Sequence, residues 1–109
     1  MGPMEQPTTG EPATGQGGAG FDPARPWALD PQVSLRPESF GALAYHFGTR
    51  RLSFLKSRTL LDVVRSLQDA PTGADACRAA GVTASELPAY ERALDALARS
   101  GMIRERVAS

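Results

Sequence analysis

The sequence predicts an α+β domain, a three-stranded antiparallel sheet followed by three helices in a winged helix-turn-helix-like order. Three observations predict it. Apolar residues recur at every second position in short runs between Val33 and Phe54, they recur at helical spacing between Leu60 and Leu97, and a tight Gly81-Val82-Thr83 turn separates the last two helices. The chain has 109 residues, and its first 26 contain 11 Gly or Pro, so about 80 residues remain to build one small core.

Residues 1–26 offer Phe21 as their only aromatic and cannot bury enough apolar area to offset the entropy of ordering, so they read as a disordered Gly/Pro-rich tail, with the folded domain spanning 27–109. Gly15, Gly17 and Gly20 spell G-x-G-x-x-G, but a dinucleotide site needs a strand before that run and a helix after it. Here Pro12 precedes it and Asp22-Pro23 follows, so the match is compositional. Three strands follow, carried by Val33 and Leu35, by Leu43, Tyr45 and Phe47, and by Leu52 and Phe54. Gly48-Thr49 suits a two-residue type II′ turn, which sets Tyr45 opposite Leu52, Ala44 opposite Ser53 and Leu43 opposite Phe54. One face then collects Leu43, Tyr45, Leu52 and Phe54 and is expected to be the core face. The other carries Ala42, Ala44, His46, Arg51, Ser53 and Leu55. Residues flanking a two-residue turn exchange hydrogen bonds, so Phe47–Arg50, Tyr45–Leu52 and Leu43–Phe54 are the expected bonded pairs. Arg51, Ser53 and Leu55 are then expected to turn their N–H and C=O groups outward, which makes Ser53 the edge position most tolerant of proline.

Leu60, Val63, Val64 and Leu67 form the stripe of a first helix, with Thr59 as the expected N-cap, Asp62 three residues on and Pro71 closing it. Thr72 and Asp75 repeat that signal before an Ala-rich second helix, which Gly81 stops. The third helix carries Leu87, Tyr90, Leu94 and Leu97 on one face, holds Pro88 in its first turn and ends at Gly101.

Composition excludes several function classes. One cysteine, Cys77, and one histidine, His46, cannot make a disulfide scaffold, a structural zinc site or an iron-sulfur cluster from this chain alone. No apolar run could span a bilayer and no signal-peptide pattern opens the chain, so a cytoplasmic protein without a membrane partner is expected. His46 reads as a surface polar residue, Cys77 as a small buried hydrophobe, and Asp62, Asp75 and Glu86 as helix caps. No catalytic, cofactor-binding or metal-binding residue is expected, and the chain is read as a binding protein and not an enzyme. Zero net charge hides a basic stretch: no acid occurs between Glu38 and Asp62, where Arg50, Arg51, Lys56 and Arg58 lie. Such charges keep an edge strand from pairing with copies of itself, and they also suit addition of an acidic, apolar-studded peptide strand. A winged-helix DNA-binding protein is the alternative. Glu86, Glu91 and Asp95 on the third helix would repel phosphates, so no nucleic-acid partner is expected.

The stretch from Trp27 to Lys56 resembles the mycofactocin peptide-chaperone family, within the PqqD-like recognition elements typified by pyrroloquinoline quinone biosynthesis protein D. Leu35-Arg36-Pro37-Glu38, Gly41-Ala42-Leu43 and Leu60 to Leu67 match the broad pattern, and the unbroken run through Phe47 and Arg50 to Lys56 matches the narrower one. The resemblance covers about Pro26 to Arg104. It implies a chaperone, itself without cofactor, that binds the leader of a short precursor peptide and presents it to a radical S-adenosylmethionine maturase. On that reading the peptide site comprises Arg50, Arg51, Leu52, Ser53, Phe54, Leu55, Lys56 and Arg58 on and beside the third strand. Leu87, Tyr90, Glu91 and Leu94 on the third helix would face it.

Overall fold

The alternation that begins at Val33 builds the expected meander. In the computed structural model, which describes residues 20–106, a short strand β1 (Trp27–Leu29) precedes β2 (Val33–Glu38), β3 (Gly41–His46) and β4 (Leu52–Leu55). There follow α1 (Arg58–Ser66), a 3-10 turn Leu67–Asp69, α2 (Gly73–Ala79), α3 (Leu87–Arg99) and β5 (Ile103–Glu105). The meander is antiparallel in the order β2-β3-β4. The additional strands β1 and β5 pair with each other, and the pairing continues at both ends where Arg106 N–H donates to Pro26 O and Asp30 N–H to Met102 O.

The register agrees with the sequence: Tyr45 faces Leu52, Ala44 faces Ser53 and Leu43 faces Phe54. The turn does not. His46 N–H donates to Arg51 O at 3.0 Å and Arg50 N–H to His46 O at 2.8 Å, so residues 47–50 form a four-residue loop with Arg50 at φ 64. His46 Nδ1 accepts the Gly48 and Thr49 N–H groups at 3.0 and 3.1 Å, and this internal acceptor supports the longer loop. His46 is therefore not a surface residue but 6% exposed, with its other ring nitrogen 3.7 Å from Asp30 Oδ1.

The longer loop moves the bonded pairs by one residue. With His46 bonded to Arg51, alternation makes Ala44–Ser53 and Ala42–Leu55 the bonded pairs and turns the N–H and C=O groups of Leu52 and Phe54 outward. The other side of β3 agrees. Phe47 N–H donates to Gln32 O at 2.9 Å, which directs Tyr45 and Leu43 toward β2. Pro37, opposite Ala42, then falls where β2 needs no donor.

The core face is also the reverse of the one expected. Ala42, Ala44 and Leu55 are at most 1% exposed, while Leu52 and Phe54 are 53% and 57% exposed on the outer face with half-buried Leu43 and Tyr45. The physical reason is volume. α1 packs on β3 and β4 and buries Leu60, Leu61, Val63 and Val64, and the alanines leave room for that stripe where large side chains would hold the helix away. Burying each such Val or Leu stabilises the fold by about 1.5–3 kcal/mol. Gly41, at φ 151, is confined by the backbone at the end of β4, since a Cβ there would overlap Leu55 O.

Helix boundaries follow side-chain acceptors. Ser57, not Thr59, caps α1: its extended backbone (φ −158) lets Oγ accept Leu60 N–H at 3.0 Å. Thr72 caps α2, its Oγ1 accepting Asp75 N–H at 3.1 Å and its hydroxyl donating to Asp75 Oδ2 at 2.9 Å, Gly81 ends that helix region at φ 89, and Pro88 sits in the first turn of α3. Cys77 is buried as expected. Burial raises its thiol above the usual value, the Glu91 carboxylate adds to the rise and Arg78 opposes it.

Of the expected tail, residues 1–19 lie outside the described residues, as do 107–109 of the expected domain. Residues 20–26 pack on the helices. Phe21 stacks on Trp27 with centroids 5.1 Å apart, its N–H donates to Asp95 Oδ1 at 2.8 Å, and Arg25 O and Pro23 O accept from Gly73 and Ala74 at the start of α2.

Candidate functional site

The outward backbone of β4 borders a groove. Its first part, a cleft of about 420 Å³, lies between β4 and α3 and is lined by Ser53, Phe54, Lys56 and Leu60 on one side and Ala93, Ala96, Leu97 and Ser100 on the other. A hollow of about 180 Å³ continues it past Ser57, Ala89 and Tyr90, sharing Lys56, Leu60 and Ala93. Helical geometry explains the opening. Ala89, Ala93, Ala96 and Ser100 fall at i, i+4, i+7 and i+11, so one stripe of α3 carries only small side chains while Leu94, Leu97 and Ala98 bury toward the core.

The structure brings some of the sequence-predicted residues together and separates others. Ser53, Phe54, Lys56 and Tyr90 line the groove. Exposed Leu52 contributes outward backbone groups, and exposed Arg51 and Arg50 lie at the hairpin end. Arg58 is the exposed first residue of α1. Leu55 and Leu94 are fully buried, so their side chains belong to the core. Leu87 is half-buried against that core, and half-buried Glu91 is not among the lining residues of either cleft. Sequence reasoning missed Leu60, Ala89, Ala93, Ala96, Leu97 and Ser100 as lining. The small-residue spacing on the third helix was the available signal.

Arg50, Arg51, Lys56 and Arg58 are exposed, and among the described residues none of them enters an ion pair. On α3, by contrast, Asp95 is held by Arg99 at 2.8 Å. The groove thus offers apolar walls, two outward-facing peptide units and uncompensated positive charge at both ends of the strand. Such a surface matches an extended peptide, whose N–H and C=O groups need partners and whose alternate side chains need pockets. Among the described residues, no group of three or more His, Cys, Asp or Glu side chains is placed to hold a metal ion. No described helix is long and apolar enough to cross a membrane.

Comparison with known proteins bears on this geometry. Peptide chaperone MftB of Mycobacterium ulcerans (strain Agy99) is 60% identical over 97 residues, covering 88% of this chain and 89% of that protein. The protein of the same name from Mycobacterium tuberculosis (strain ATCC 25618 / H37Rv) is 58% identical over 83 residues, 76% of each chain. That from Mycolicibacterium smegmatis (strain ATCC 700084 / mc(2)155) is 53% identical over 83 residues, 76% of this chain and 81% of the other. No solved structure matches. The family model that matches spans residues 26–104, from the docked N-terminal segment through α3 and into β5, and this chain belongs to the Peptide chaperone MftB family.

Proposed function

We propose that this chain is a non-catalytic chaperone that holds the leader of a ribosomally made precursor peptide along β4 and presents it to a radical S-adenosylmethionine maturase. The observation that carries the reading is the open edge of β4 beside a groove floored by small residues of α3. The names of the relatives support a peptide ligand. A leader strand would bond to Leu52 and Phe54 and send alternate side chains over Ala93 and Ala96. Its acidic residues would meet Arg50, Arg51, Lys56 and Arg58. Holding the leader raises the local concentration of the rest of the peptide at the maturase, a contribution that needs no reacting group in this chain. The iron-sulfur and S-adenosylmethionine chemistry belongs to the maturase.

The test is titration of the purified chain with the leader of a short acidic peptide encoded beside it, followed by backbone amide NMR. Saturable binding with the largest shifts at Leu52, Phe54, Ala93 and Ala96 is expected, with the peptide mass unchanged until the maturase and its cofactor are added. Absence of binding, shifts confined to another face, or a mass change with this chain alone would overturn the reading. Salt-sensitive binding to duplex DNA in place of the peptide would return the DNA-binding alternative.

A further inference from the structure

Beyond the peptide groove, of which Phe54 forms part of the wall, the outer face of the three-stranded sheet presents a second apolar surface. Register places Leu43, Tyr45, Leu52 and Phe54 on that face, away from α1, and two flanking aromatics extend it. Phe40 stacks on Phe54 with centroids 6.1 Å apart at one end, and Phe47 meets Tyr45 edge-on at 5.2 Å at the other. Phe40, Phe47, Leu52 and Phe54 are 46 to 60% exposed. At that exposure the four side chains leave roughly 400 Å² of contiguous apolar surface, within the range in which patches on monomers serve binding.

Charge selects the occupant. Exposed Arg36 borders the face on β2, and exposed Arg50 and Lys56 border it at the two ends of β4. Among the described residues the acid on that rim is Glu38, already paired with Arg36 at 3.0 Å. A second copy of this chain would set one basic rim against another, and the patch is about half of the ~800 Å² per partner typical of stable interfaces, which suits a contact shared with other surface. A protein with carboxylates around an apolar surface complements the charge of the rim.

We propose that the outer sheet face docks a folded partner protein whose contact surface is apolar and ringed by carboxylates; resting on the function proposed above, that protein is the maturase. The face adjoins the outward edge of β4. A leader seated there would send its own outward side chains onto the same surface, so the partner would meet chaperone and peptide together.

The experiment uses the full chain, its leader peptide and the purified maturase. The double variant Phe40→Ser/Phe47→Ser and the single variant Arg36→Glu alter the face at positions outside the peptide groove. Expected for the double variant is leader affinity within about twofold of the parent, with maturase affinity lower by about tenfold or more. Arg36→Glu is expected to weaken the maturase complex at low salt more than at high salt. Circular dichroism checks both folds, and Arg36→Glu alone decides if the double variant misfolds. Unchanged maturase affinity in the folded variants would overturn the assignment while leaving the proposed function intact. So would an equal loss of leader affinity, which gives the face to the peptide, or a parent dimer dissociated by the variants, which gives it to a second copy. A parent chain that binds neither leader nor maturase would remove the proposed function and this assignment with it.

Discussion

His46 shows how much one side chain decides here. Its Nδ1 accepts two loop N–H groups, so the ring proton sits on Nε2, toward Asp30. His46→Phe keeps the ring's bulk but leaves both donors without that acceptor. A loss of about 1–3 kcal/mol in denaturant unfolding is expected, and a loss below about 0.5 kcal/mol would show that water replaces the ring. The loop that His46 supports also sets which residues of β4 face outward, and paired prolines test that. Leu52→Pro removes an outward N–H and is expected to keep the circular dichroism spectrum while lowering leader affinity by about tenfold or more. Ser53→Pro strikes a ladder bond to Ala44 and is expected to unfold the meander. The reverse outcome would restore the two-residue turn. Asp95 makes a third case. The Arg99 guanidinium holds its carboxyl below the ordinary 3.8, burial opposes this, and the Phe21 N–H bond adds to the lowering. A folded-state value below the unfolded one stabilises the fold above the unfolded value, and the contribution is lost as pH falls through the folded value. Docking of Phe21 beside Trp27 should therefore be insensitive to pH above about 5 and loosen only in stronger acid, as read by Trp27 fluorescence.

On α3 the division of labour runs around the helix. Leu94 and Leu97 anchor it to the core, and Ala89, Ala93 and Ala96 keep the facing stripe low enough for a groove to exist. Ala93→Leu/Ala96→Leu adds bulk to that stripe with good helix formers, so the helix is expected to hold its stability within about 1 kcal/mol. Leader binding should fall by about tenfold or more in calorimetry, because the added side chains occupy the space that alternate peptide residues need. Full affinity in a folded double variant would place the peptide elsewhere. α1 plays the complementary part. Ser57 caps it directly after Lys56, so the helix starts as soon as the strand ends and Leu60 is carried under the groove.

Across the molecule, distant chain segments are tied together near both ends of the described chain. Phe21 meets α3, and Arg106 donates to Gln68 O at 2.9 Å and to Ala70 O, holding the segment after β5 against the end of the 3-10 turn. Arg106→Ala is expected to lower stability by about 1–3 kcal/mol in chemical denaturation, with leader affinity unchanged because the groove lies elsewhere. Charge acts over the same distances. Replacing Arg50, Arg51 and Lys56 by Glu should weaken an acidic leader more at low salt than at high, since exposed charges separated by more than about 10 Å are screened at 0.1 M. If affinity is unchanged at low salt, these charges only keep the β4 edge from pairing with its own kind.

Local patterns in the chain were enough for the fold class, the strand register, the caps at Thr72 and Asp75, the stop at Gly81 and the family, because each depends on residues close in sequence or on periods of two and 3.6. The candidate edge strand was legible for the same reason, through its basic flanks. Which sheet face enters the core was decided only in three dimensions: Ala42 and Ala44 let a bulky helix pack closer than Leu43 and Tyr45 would, and no count along β3 and β4 alone registers the volume of α1. The β1–β5 pair joins residues more than 70 apart in strands of three, too short to show a period. The direction of the edge amides depended on a histidine turned inward to hold a loop. The groove depended on small residues of α3 lying opposite β4, and both are matters of what the chain meets when it returns upon itself.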